Sequence, residues 1–183
     1  MTVPSNTPAG NWNFRNQPRP ADIGAVREIV GSTGFFHDFE TDVAVELAQE
    51  RLERGPASEY FFVFADDQGT GRTLGYTCFG PIACTISSLD LYWIAVHESV
   101  RGRGLGLELM ALTERQVLSG LPGARTPFDQ PGRDRRVYIE TSGKEQYAPT
   151  RAFYSRAGYS LVATLESFYA PGDDKLIYVK RIG

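Results

Sequence analysis

Cysteine, histidine, methionine and tryptophan are scarce in this chain of 183 residues, which has two of each. Cys78 and Cys84 are too few and wrongly spaced for a disulfide framework or a zinc site, and neither has a neighbouring histidine to activate a thiolate. No stretch reaches the roughly 18 consecutive apolar residues that a membrane span needs. The first residues lack the apolar run of a secretory signal, so none is expected. Charge of one sign is not in excess either, since 19 Lys and Arg face 22 Asp and Glu for a net charge of −3. Neither a nucleic-acid surface nor an anionic-membrane surface is therefore expected. Repeats and low-complexity tracts are absent. What remains is an ordinary globular composition, 42% hydrophobic and 22% charged, that fits one domain over 1–183 with a sizeable core. A reducing, cytoplasmic setting is the expectation.

What the chain does have is a distinctive stretch from Asp90 to Ala111, DLYWIAVHESVRGRGLGLELMA. An apolar strand-like run (Leu91 to Val96) feeds a turn, Arg101-Gly102-Arg103-Gly104-Leu105-Gly106, which opens a helix-like run. That arrangement suits a phosphate. The first amides of a helix lack internal partners and carry the positive end of its dipole. Glycines let the main chain approach closely, and Arg101 and Arg103 can fork onto phosphate oxygens. The turn alone is weak, because short glycine patterns arise by chance; its place between strand and helix gives it weight. No G-x-x-x-x-G-K-(S/T) string occurs, and Leu107 stands where G-x-G-x-x-G needs its third glycine.

Read in order, residues 1–12 form a loose tail and Phe14 to Gln17 a short strand. Helices follow from Asp22, with Ile23, Val26, Ile29 and Val30 at helical spacing, and from Thr41 to Arg54. Tyr60 to Ala65 and Thr73 to Phe79 make a hairpin. The central strand (Ser88 to His97) and a helix (Gly104 to Leu118) come next. Residues 121–135 read as an exposed excursion. A strand (Arg136 to Thr141), a short helix (Pro149 to Arg156) and two strands (Leu161 to Phe168, Leu176 to Val179) close the chain, the last two joined by a turn-rich loop over 169–175.

A second segment completes the pattern: Ala152, the Phe153-Tyr154 pair, then Gly158-Tyr159. Arg101-x-x-Gly104-x-Gly106 behind its strand, one further strand, and this helix resemble the GNAT acyltransferase superfamily over about residues 14–182. The resemblance implies an α/β fold with a mixed sheet of about seven strands, about four helices and a splay between the fourth and fifth strands. It implies acetyl-CoA as co-substrate, an amine acceptor and no metal. Main-chain groups of Ile94, Ala95 and Val96 would bind the pantetheine arm, and Gly102 to Leu107, flanked by Arg101, would hold the pyrophosphate. The amide near Val96 would stabilise the oxyanion. Tyr154 would protonate the leaving thiolate, and Glu140 would serve as base, through a water. Where many members have an asparagine, seven residues before the tyrosine, this chain has Tyr147, which would shape the acceptor pocket instead.

Other readings stay open. His37 and His97 suit loop or capping roles better than catalysis. The Asp66-Asp67 and Asp173-Asp174 pairs suit turns better than metal. A non-catalytic acyl-CoA sensor would keep the loop without needing Tyr154 and Glu140. The acceptor is unassigned: a small amine, an amino acid or a peptide amine. Dimers are common in the family resembled, so a homodimer is a further option.

Overall fold

The computed structural model describes residues 11–183. Its strands are β1 (Trp12–Arg15), β2 (Phe61–Asp67), β3 (Thr73–Pro81), β4 (Ser88–Val96), β5 (Arg135–Ser142), β6 (Ser160–Ala170) and β7 (Asp173–Ile182). They form one seven-stranded sheet in the order β1-β2-β3-β4-β5-β7-β6. Four helices accompany it: α1 (Asp22–Ser32), α2 (Asp38–Arg54), α3 (Leu105–Ser119) and α4 (Ala148–Arg156). Neighbouring strands run antiparallel except β4 and β5, which are parallel. The fold is thus the mixed α/β sheet that the sequence led us to expect. Of the tail expected over 1–12, residues 1–10 lie outside the described residues, and Trp12 already belongs to β1. Among the described residues no helix is long and apolar enough to cross a membrane.

Two cores sandwich the sheet, and strand alternation sorts side chains between them. On β2, Phe61, Val63 and Ala65 join Leu105, Leu109 and Met110 of α3, whereas Phe62 and Phe64 join Val26, Ile29 and Val30 of α1 and Ala44 and Ala48 of α2. Each fully buried phenylalanine contributes roughly 1.5–3 kcal/mol. Helix α3 lies close on β3 because Gly75 has no side chain; a Cβ there would stand 3.0 Å from Leu109 and 3.1 Å from Leu105. The buried hydroxyls of Thr77 and Thr113 satisfy each other at 2.7 Å across that contact. At the other end of the sheet Arg15 fastens β1, bonding Asp66 at 2.8 Å and Asp22 at 2.7 Å while its guanidinium lies 4.4 Å over the Phe64 ring.

Three boundaries differ from expectation, each for a local reason. Helix α2 begins at Asp38 rather than Thr41, because His37 and Glu40 form a reciprocal capping box; the His37 amide donates to Glu40 at 2.9 Å. The loop expected over 169–175 is a tight turn: Ala170 pairs with Asp173, and Gly172 takes a φ of +77° between them. The excursion expected over 121–135 is exposed at 122, 123, 126, 130, 131 and 133 but anchored between them, and Arg135 already belongs to β5. Leu121, Ala124 and Phe128 are buried, with the Arg125 and Arg135 guanidiniums 5.2 and 4.8 Å from the Phe128 ring.

Strands β4 and β5 pair over only three positions, Ser88–Asp90 with Arg136–Tyr138, and then diverge. On its other edge β4 carries a bulge: Leu91 pairs with Phe79 and Trp93 with Cys78, leaving Tyr92 as the extra residue. Leu89 and Leu91 therefore face the α3 core, while Trp93 and Ala95 face the α1–α2 core and Ile94 and Val96 return to the first. The sheet opens into a fork, and the residues around it point to both sides.

Candidate active site

The fork leads into a cleft of about 1250 Å³. Ile94, Ala95 and Val96 of β4 border it, as do Thr141 and Ser142 of β5, and among the described residues no strand pairs with this edge of β4 beyond Asp90. The glycine-rich turn lies at the same cleft. Gly102 and Gly104 adopt φ of +76° and +83°, which side-chain-bearing residues rarely take, and nothing would obstruct a Cβ at either. Gly106 is glycine for a different reason: a Cβ there would meet the Phe153 ring at 3.2 Å. The two sequence motifs thus touch, the first turn of α3 resting on the aromatic pair of α4.

Among the described residues, no backbone acceptor takes the amides of 102–106, whereas the Leu107 amide already donates to the Gly104 carbonyl at 3.0 Å. The amides without a partner therefore end at Gly106, and Leu107 borders the cleft without a free amide. Arg101 lines the cleft with its guanidinium 5.6 Å from the Phe35 ring. Arg103 is exposed and is not part of the lining. Two basic residues that the motif did not point to, Lys144 and Arg156, do line it. Their positions follow from tertiary structure, at the end of β5 and the end of α4.

Tyr154 lines this cleft from α4 and is 6% exposed, with its ring 5.6 Å from Phe153 and 5.9 Å from Tyr178. It makes no side-chain hydrogen bond within the protein among the described residues, nor is its oxygen one of the sealed, partnerless ones. Burial raises its phenol well above the ordinary range, so it stays protonated at neutral pH. Gly158, at φ +88°, ends α4 and delivers Tyr159 into the core. Tyr147 also lines the cleft, 6.0 Å from Phe35.

Glu140 stands apart from Tyr154. It is half-exposed, bonds Lys175 at 2.5 Å, and lines a smaller cavity of about 440 Å³ on the α2 side of the sheet. Asp90 lines that cavity too, and Tyr169 lines both spaces. The remaining candidates have local roles. His97 accepts the Ser99 amide at 3.2 Å, and His37 caps α2. Cys78 is fully buried, which pushes its thiol up, and Cys84 is exposed. Asp66 holds Arg15, Asp67 accepts from Thr70 at 2.8 Å, and Asp173 accepts from Ser142 at 2.5 Å. No group of three or more metal-capable side chains occurs among the described residues.

A forked sheet, free amides at a helix start and a buried phenol meet in one cleft. The family of the chain follows from comparison. A model described as the Acetyltransferase (GNAT) domain matches residues 57–161. A GNAT-family protein from Desulfovibrio desulfuricans is 44% identical, with a TM-score of 0.82 over 94% of this chain and 99% of the other. The chain belongs to the GNAT acetyltransferase family. Two more distant structures share the fold. An aminoglycoside 6'-N-acetyltransferase complexed with coenzyme A is 18% identical, with a TM-score of 0.68 over 93% of this chain and 97% of that one. The yncA protein of Salmonella typhimurium, with its cofactor acetyl-CoA, is 16% identical, with a TM-score of 0.65 over 94% and 95%. No curated protein matches the chain.

Proposed function

We propose that the protein is an N-acetyltransferase that moves the acetyl group of acetyl-CoA to a primary amine by direct attack in a ternary complex. The observation that carries this reading is the junction of three features in one cleft: the fork, the unpartnered amides of 102–106 and Tyr154. Main-chain groups of Ile94, Ala95 and Val96 along the unpaired edge hold the pantetheine arm. The amides of Gly102 to Gly106 hold the pyrophosphate, with Arg101 adding charge and the Leu107 side chain bordering it. Arg103 meets phosphate from outside the cleft.

The Val96 amide, or one beside it, stabilises charge on the thioester oxygen as the amine attacks. Tyr154 donates its proton to the departing sulfur. Its burial keeps the phenol protonated until a stronger base, the thiolate, forms beside it. The base that receives the amine proton is a carboxylate of the smaller cavity, Glu140 or Asp90. The complexes of two fold relatives with coenzyme A and acetyl-CoA support this choice of co-substrate. The whole chain acts as a single domain in this reading, as a monomer or a homodimer.

Isothermal titration tests it, with acetyl-CoA as ligand and CoA, ATP and NAD as comparisons. We expect binding of acetyl-CoA and CoA with no response to ATP or NAD. Absence of acetyl-CoA binding would overturn the reading and every residue role attached to it.

A further inference from the structure

We propose that Lys180 is a positioning residue, which sets the place of Tyr154 by bridging Glu114 of α3 and the Ala157 carbonyl that ends α4. The proposal rests on the acetyl-transfer reading above, in which Tyr154 is the proton donor, and adds what holds that donor still.

Helix α4 needs holding. It has nine residues, below the roughly 12–15 at which an isolated helix becomes even marginally stable. Tyr154 is its one buried residue. Its place is therefore set by a few side-chain contacts. Arg151 ties its first half to the end of β5, donating to the Ser142 and Lys144 carbonyls at 3.1 and 2.7 Å. Phe153 rests on Gly106 in the middle. The last turn is left with carbonyls that no later residue of the helix can satisfy.

Lys180 reaches that end from β7. It shares a face of the strand with Tyr178, whose ring lies 5.9 Å from that of Tyr154. Its Nζ donates to the Ala157 carbonyl at 2.9 Å and to the two Glu114 oxygens at 2.9 and 2.7 Å. Three donors meet three acceptors, so the ammonium is saturated. A cation at a helix C-terminus also opposes the negative end of its dipole. The stem passes Gly158, where a Cβ would already touch Cε at 3.4 Å. Both charged groups are largely covered, with side chains 28% and 13% exposed.

The contact is transmitted through one turn. The Ala157 amide donates to the Phe153 carbonyl, and the Tyr159 amide to the Tyr154 carbonyl, each at 3.0 Å. At its other end the bridge holds Glu114, about two turns along α3 from Gly106. One ammonium thus joins the helix whose first amides are proposed to hold the pyrophosphate to the helix that carries the acid. The pantetheine arm fixes the distance of the sulfur from the pyrophosphate, so a donor for that sulfur must be registered to the same helix. Misplacing a reacting group by about 1 Å can cost roughly 100-fold in rate. A covered ion pair adds little stability over an apolar contact of the same shape, because desolvation offsets its attraction. Fixed geometry is what it supplies here. Burial, and then Tyr147 and Tyr178, raise the Tyr154 phenol, so Lys180 acts on its place and not on its charge.

The test uses the full chain labelled with 3-fluorotyrosine, in which the Tyr154 fluorine resonance is the one lost in Tyr154→Phe. It is titrated with CoA and with desulfo-CoA, which lacks the sulfur. We expect the wild-type resonance to move further with CoA, because the phenol faces the sulfur. Lys180→Met keeps the stem and removes the ammonium. It should cut the difference between the two ligands by half or more, with CoA affinity within a few-fold of wild type. Glu114→Ala frees the ammonium from α3 and should act in the same direction; it decides the matter if Lys180→Met does not fold. A bridge that served stability alone would lower the melting temperature and leave the difference intact in the folded variants. That result overturns this inference and spares the acetyl-transfer reading. A wild-type resonance that responds equally to both ligands removes Tyr154 from the sulfur and overturns the inference together with its premise. Loss of CoA binding in the wild-type protein overturns both readings.

Discussion

Replacing Tyr154 by phenylalanine separates chemistry from architecture. The ring would keep its contacts with Phe153 and Tyr178, and the lost oxygen bonds no protein group among the described residues. The melting temperature should therefore change little. If the phenol is the proton donor, its removal should cost roughly 10²- to 10⁴-fold in rate, or about 2.7–5.5 kcal/mol of barrier. Because burial holds the phenol well above its ordinary pKa, Tyr154 should contribute no basic limb to the rate below about pH 10. The assay is single-turnover release of CoA thiol at saturating acetyl-CoA and amine, which removes product release from the measurement. Acetyl-CoA affinity, measured in parallel, should be within a few-fold of wild type. A single-turnover rate within twofold of the wild-type value would remove Tyr154 from the mechanism.

Further outcomes follow from other contacts. Gly104→Glu places a charged side chain at φ +83° where phosphate is proposed to lie, so acetyl-CoA binding should vanish in titration; retained affinity would refute the loop's role. Gly106→Ala brings a Cβ to 3.2 Å from the Phe153 ring, so its effect on stability should depend on that ring: with Phe153→Leu added the change should become more favourable in a denaturation cycle, and equal effects in both backgrounds would refute the contact. Asp66 is disfavoured by burial, but hydrogen bonds from Arg15 and Thr73 prevail and hold its carboxyl below the usual range. Its stabilising contribution should be complete above about pH 4 and lost as pH falls through the folded-state value. Asp66→Asn should cost roughly 1.5–3 kcal/mol at pH 7, and a difference that fails to shrink in acid would contradict that account.

Short-range features were legible in the sequence. The strand, glycine turn and helix from Leu91 to Leu118, and the Phe153-Tyr154 and Gly158-Tyr159 pairs, are local patterns whose spacing survives folding. The unread features are non-local. The Tyr92 bulge depends on pairing with Cys78 and Phe79, so nothing near Asp90 announced which side of the sheet it faces. The sequence points to Glu140 as a base and not to its partner Lys175, which reaches it only through the β5–β7 ladder. Gly106 looked like a phosphate glycine, and its packing role needed Phe153 in place. The β6–β7 hairpin was shortened because proline, glycine and two aspartates read as a loop, although the strands pair to within two residues of each other.

The fork also divides the molecule mechanically. Strands β1 to β4 form one leaf and β5 to β7 the other, and among the described residues only the pairing of Ser88–Asp90 with Arg136–Tyr138 stitches their strands together within the sheet. A thioester seated between the leaves would act as a rivet, contacting both at once. Amide hydrogen exchange along Leu91–Val96 and Ile139–Ser142 should then slow on binding, and saturation at about 100 times Kd would add about 2.7 kcal/mol to the stability of the whole. In that sense the co-substrate would complete the sheet that the chain leaves open.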